Sequence, residues 1–168
     1  MNIIDEIKAG RKDLTGVDLR GADLYSADFR NADLTGADLR CAKLYDTDFR
    51  NADLTGADLR CANLCNADFR NADLSGVDLR CANLYSADLR DTDLTGADLT
   101  GTDLIVFQAK LWTAYIQKDV ITIGCQRHPV KEWMEFTDEE IHKMHKDALN
   151  YWKQYKAAIF SIHATLEN

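Results

Sequence analysis

Two pairs of residues in the last third of the chain have the types and spacing of metal ligands: Cys125-x-x-His128 and His142-x-x-His145. Thiolate and imidazole are the donors zinc takes in tetrahedral sites, and residues three apart on a helix share one face. A single C-x-x-H arises readily by chance, however, and histidines on a solvated helix need no ligand role. A Cys–His nucleophile would also need an orienting carboxylate and an oxyanion-binding motif, and neither is identifiable. The reading is of no catalytic residue, no cofactor and no metal. Cys125, His128, His142 and His145 stay as the candidate set for a metal-dependent activity in the C-terminal region.

The other chemistry-bearing residues are strictly periodic. Asp33, Asp53, Asp73 and Asp93 recur every twenty residues, with Thr or Ser two residues after each and no basic residue in their column beyond Arg11 and Lys12. Arg20, Arg40, Arg60 and Arg80 keep the same period beside Asp18, Asp38, Asp58 and Asp78, and Arg30, Arg50, Arg70 and Arg90 keep it beside Asp28, Asp48, Asp68 and Asp88. These two Arg columns neutralise themselves; the first does not. A fourth column holds Tyr25, Tyr45, Cys65 and Tyr85, and its acidic positions are broken by Lys43, Asn63 and Asn83.

Such columns require an element that returns to the same face every twenty residues. From Leu14 to Leu104 every fifth residue is Leu or Phe, and the residue two before it is nearly always Ala, Val or Thr. A period of five would scatter these leucines around an α-helix, whereas one large and one small inward side chain per segment suits a short β-segment followed by a corner. Phe29, Phe49 and Phe69, and likewise Cys41, Cys61 and Cys81, repeat at twenty, so four segments make one coil with four faces. Phe49 is then expected to touch Phe29 and Phe69 in the coils on either side. At about 4.8 Å per coil the stack is on the order of 24 Å tall.

These residues resemble the pentapeptide-repeat family, whose fold is the right-handed quadrilateral β-helix. The resemblance covers about 90 residues, and it implies a mainly β fold of four to five coils. Some family members inhibit type II topoisomerases by resembling DNA in shape and charge, so the resemblance adds DNA mimicry to the functions to be weighed. A stack of coils also needs caps. Residues 1–10 read as a short amphipathic helical cap, with Ile3, Ile4 and Ile7 on one side and Gly10 as its stop; residues 11–106 are the β-helix.

Residues 107–168 form a separate small α/β module. It contains the β-rich run Val120 to Ile123, and Thr137-Asp138-Glu139-Glu140 is a capping box that opens one long helix from Asp138 to Leu166. Trp152, Tyr155 and Ile159 make an apolar seam on that helix, suited to docking or to a homodimer. The run Ile121–His128, with Trp133 and the T-D-E-E helix start, resembles the C-terminal segment of pentapeptide-repeat proteins from phages and prophages. That resemblance implies a host-directed inhibitory role and no role for any single residue.

The formal net charge of −8 disfavours direct nucleic-acid binding and favours solubility or a basic partner. The N-terminus lacks a signal-peptide core and no apolar run approaches a membrane span, so a soluble, cytoplasmic protein is expected. Five cysteines without a zinc-ribbon pair fit reduced thiols. The expected function is non-enzymatic binding of a protein, as a phage-type inhibitor of a host target. The acidic column (Asp33, Asp53, Asp73, Asp93) and the aromatic column (Tyr25, Tyr45, Tyr85) are the candidate surfaces. The alternative is DNA mimicry against a DNA-acting enzyme.

Overall fold

The computed structural model describes residues 3–108 and 112–166, so Met1 and Asn2 of the expected cap lie outside the described residues. The chain divides into two compact units after Asp103. The expected boundary at 106/107 moves back a few residues because the first strand of the second unit begins at Ile105.

In the first unit, helix α1 (Ile3–Lys8) buries Ile7. It stops where Gly10, at φ +95°, donates to the Ile7 carbonyl and Arg11 donates to that of Glu6. Coils follow at once. Parallel bridges join the residue before each core Leu or Phe to the one twenty later, from Asp13–Asp33 through to Asp78–Asp98. Within a coil each side ends in a four-residue turn: the amide two residues before the next Leu or Phe donates back to the previous one, as in Ala37 to Leu34 at 2.9 Å. The third turn residue has positive φ, which defines a type II turn and explains why Gly, Asn, Ser or Asp so often follows the outward residue.

The core is the stacked ladder that the five-residue period predicts. Leu34, Leu44, Leu54 and Leu64 are fully buried, with Ala32, Ala42 and Ala52 filling the narrower corners. Phe49 stacks on Phe29 at 5.1 Å and on Phe69 at 4.9 Å between ring centroids. Four segments per coil is therefore correct. Where Thr replaces Ala, its buried hydroxyl bonds to a backbone carbonyl of the preceding coil: Thr47 to Leu24 at 3.3 Å and Thr92 to Phe69 at 2.8 Å.

The second unit is a four-stranded antiparallel meander with helices packed on it. Strands β1 (Ile105–Gln108), β2 (Thr113–Ile116), β3 (Val120–Ile123) and β4 (Gln126–Pro129) pair in that order. Helices α2 (Val130–Glu135), α3 (Asp138–Met144) and α4 (Ala148–His163) complete it. The single helix expected from Asp138 to Leu166 is in fact two. The Thr137–Glu140 capping box is present but opens only the short α3. His145 then turns extended (φ −165°), and its Nδ1 accepts the Asp147 amide at 3.1 Å, giving the next helix a new start.

Candidate interaction surfaces

The ends of the Asp side chains, not the backbone, distinguish the faces. In both Arg columns each guanidinium grips the Asp two residues before it at 2.5–2.7 Å, and all but Arg90 reach the Asp one coil on at 3.5–3.8 Å. Carboxylate and guanidinium thus alternate without a gap along two sides of the stack. The hydrogen bond from Arg20 holds the Asp18 carboxyl down to about 2, and Arg40 and Arg60 depress Asp38 and Asp58 in the same way.

The Asp33, Asp53, Asp73 and Asp93 column is different. Among the described residues no Lys, Arg or His nitrogen pairs with these carboxylates; Lys12 turns to Asp28 at 3.4 Å and Arg11 to Glu6 at 2.6 Å. Each carboxylate keeps one oxygen on the chain: Oδ1 accepts the amide of Thr35, Thr55, Ser75 or Thr95 at 2.8–3.0 Å. The Ser75 hydroxyl also donates to Asp73. Bonds from Thr35 and Thr95, hydroxyl first and amide second, lower the pKa of Asp33 and Asp93 and so favour the charged form. Hydroxyls one coil back, of Thr15 and Ser75, act on Asp33 and Asp93 in the same sense. The result is a straight row of carboxylates about 4.8 Å apart, three of them exposed and Asp73 half-buried.

In the aromatic column Tyr25 and Tyr45 stack at 5.6 Å with their planes 5° apart, while Cys65 separates them from Tyr85. Tyr25 is 61% exposed and Tyr85 43%. Asn66 donates to the Tyr45 hydroxyl at 2.9 Å. Asn63 and Asn83 accept the amides of Cys65 and Tyr85 just as the aspartates do elsewhere, which shows that an amide oxygen serves the corner as well as a carboxylate.

The structure changes the reading of the apolar seam in the second unit. Trp152 and Ile159 lie in its own core with Ile121, Trp133 and Ile141, and Tyr155 packs edge-on to Phe107 at 5.7 Å. The seam is internal, so Trp152 and Ile159 are not themselves available to a second chain. Nor do Cys125, His128, His142 and His145 converge. His128 bonds Glu132 at 2.9 Å, His145 accepts the Asp147 amide, Cys125 and His142 are exposed, and among the described residues no group of three His, Cys, Asp or Glu could hold a metal ion. A cavity of ≈ 80 Å³ lies among Trp112, Trp133, Tyr151 and Trp152. It is smaller than the ~150 Å³ that admits benzene.

The repeat geometry decides the family, and a family model described as Pentapeptide repeats (8 copies) matches residues 13–51, 47–84 and 67–105, more than half of the chain. The chain belongs to the pentapeptide-repeat family. Among solved structures, a pentapeptide-repeat protein of the Arabidopsis thaliana thylakoid lumen is 37% identical with a TM-score of 0.56, over 62% of this chain and 73% of its own. One from the cyanobacterium Cyanothece 51142 is 38% identical at a TM-score of 0.51, over 51% of this chain and 58% of that one. No curated protein sequence matches the chain. No helix among the described residues is long and apolar enough to cross a membrane.

Proposed function

We propose that this pentapeptide-repeat protein acts without catalysis, by laying its Asp33–Asp93 row in a basic groove of a protein partner that otherwise holds a nucleic-acid strand. One observation carries the reading: the only unpaired acidic column of the β-helix is straight, rigid and flanked by columns that neutralise themselves. Its charges repeat at about 4.8 Å, against one phosphate per about 3.4 Å along a DNA strand. A basic groove therefore meets a comparable, somewhat sparser, line of charge. A cytoplasmic, host-directed inhibitor of phage type is the setting this reading fits, with a type II topoisomerase as the first target to test.

The test uses purified DNA gyrase and a supercoiling assay, with affinity measured at two salt concentrations. Asp53→Asn with Asp73→Asn removes charge and keeps the oxygen that caps the Thr55 and Ser75 amides, so folding is preserved. Inhibition should weaken at least tenfold and lose most of its salt dependence. Arg50→Gln with Arg70→Gln exposes further carboxylates and should inhibit at least as well. Equal inhibition by the Asn variant and the parent would remove the acidic row from the mechanism.

A further inference from the structure

In the second unit the turn between β2 and β3 is fastened from two sides. The Val130 amide, at the start of α2, donates to the Asp119 carbonyl at 3.1 Å. His163, the last residue of α4, reaches the Lys118 carbonyl through Nε2 at 2.7 Å. A carbonyl can only accept, so Nε2 carries the proton. The turn, α2 and the end of α4 are thus braced together, and a groove of ≈ 610 Å³ lies among them. That volume is within the range of about 300–1,000 Å³ typical of binding clefts.

The groove is apolar inside and basic at its border. Met134 is 62% exposed, and Pro129, Val130 and Phe160 line the same groove. A methionine adapts its shape to an irregular partner surface. Lys118 and Lys131 also line it and are exposed. Among the described residues neither ammonium has a carboxylate partner, whereas Lys143 and Lys153 hold Glu139 and Asp138, each at 2.8 Å. Asp119 is the only carboxylate among the lining residues, so the border is positive in a chain whose net charge is −8.

A concave apolar surface with a basic border restricts what can occupy it. A ridge of apolar side chains spaced three and four residues apart on a partner helix fills such a groove, and acidic residues beside the ridge meet the two lysines. A membrane surface is met by an apolar face that projects into it, not by a hollow. The acidic helices of this chain do not supply the ridge: α1 buries Ile7 and its Glu6 is held by Arg11 at 2.6 Å, and α3 buries Ile141.

We propose that this groove docks an acidic amphipathic helix of a partner protein. Apolar side chains of that helix lie against Met134, Val130 and Phe160, and its carboxylates face Lys118 and Lys131. The site is separate from the Asp33–Asp93 row and selects charge of the opposite sign.

The probe is an alanine-rich peptide of about 20 residues, with Leu along one helical face and Glu on both sides of it. It is titrated into the full chain, and binding is read from the Val130 methyl signals by NMR. These should shift saturably with the parent. Met134→Asp, and separately Lys118→Glu with Lys131→Glu, should each weaken binding at least tenfold. All three side chains are exposed, so these variants keep the fold; circular dichroism verifies this. The same peptide with Lys in place of Glu should not bind. No saturable shift with the Glu peptide, undiminished binding by either variant, or equal binding of the Lys peptide would overturn the proposal. So would sedimentation with phosphatidylglycerol vesicles that the double lysine variant abolishes and the Glu peptide leaves unchanged, which would make the groove a membrane contact.

Discussion

At the scale of the residue, one side-chain position can serve both the fold and the surface. Asp53 accepts the Thr55 amide with Oδ1 while the residue stays exposed. The carboxylate is thus not free to become any polar residue, which is why Asn is the informative replacement and Lys is not. The charge column was legible in the sequence because a twenty-residue period maps directly onto a face. Core residues divide their roles more simply. Phe49 is fully buried and stacked on both sides. Phe49→Ala should lower the unfolding free energy by about 3–5 kcal/mol. Phe49→Leu, the residue that Leu89 already supplies in the same column, should cost under about 1.5 kcal/mol. Denaturant titration of both variants checks this, and equal losses would show that the ring stack, not the filled volume, holds the column.

At the scale of the element, the two units differ in how openly their sequences declare them. A β-helix coil repeats, so every side, corner and bridge is signalled many times over, and the register from Asp13–Asp33 onward follows from counting. The second unit signals each feature once. The β3 run and the Thr137 capping box were legible; β1, β2 and β4 were not, because four residues carry too little alternation to separate strand from loop. The break between α3 and α4 was masked by apolar residues at Ile141 and Ala148, whose spacing suits one continuous helix, and its cause is a side-chain acceptor, His145, that periodicity cannot register. The same masking turned a buried seam into an expected dimer face. Ile159 is fully buried among the aromatic residues of its own unit. Ile159→Ala should therefore lower the stability of that unit by about 2–5 kcal/mol, read from tryptophan fluorescence during unfolding. A loss below 1 kcal/mol would mean the side chain packs elsewhere.

At the scale of the whole molecule, the two Arg–Asp columns act as continuous lattices, and their collective property is resistance to acid. The first cause of the depressed pKa values of Asp18, Asp38, Asp48, Asp58 and Asp78 is in each case the hydrogen bond from the Arg two residues on. A carboxylate whose pKa is lower folded than unfolded adds stability above its unfolded value, about 3.9. It loses that contribution as pH falls through the folded value, because the unfolded chain takes up the proton first. Asp18 reaches about 2, so the contribution should fade between about pH 4 and about pH 2. The melting temperature of the β-helix should therefore stay level from neutral pH down to about 5 and fall steeply only below 4. These pairs are partly exposed, and raised salt should screen them and shrink the acid-sensitive contribution. In Arg50→Gln with Arg70→Gln, Asp48 and Asp68 lose their strongest stabilising contacts, so their folded values rise towards the unfolded one and less stability remains to be lost in that window. Melting curves from pH 2 to 7 for the parent and this variant decide the matter: a parent already losing stability near pH 6, or a variant with an unchanged slope between 4 and 2, would show that the lattices do not set the acid limit.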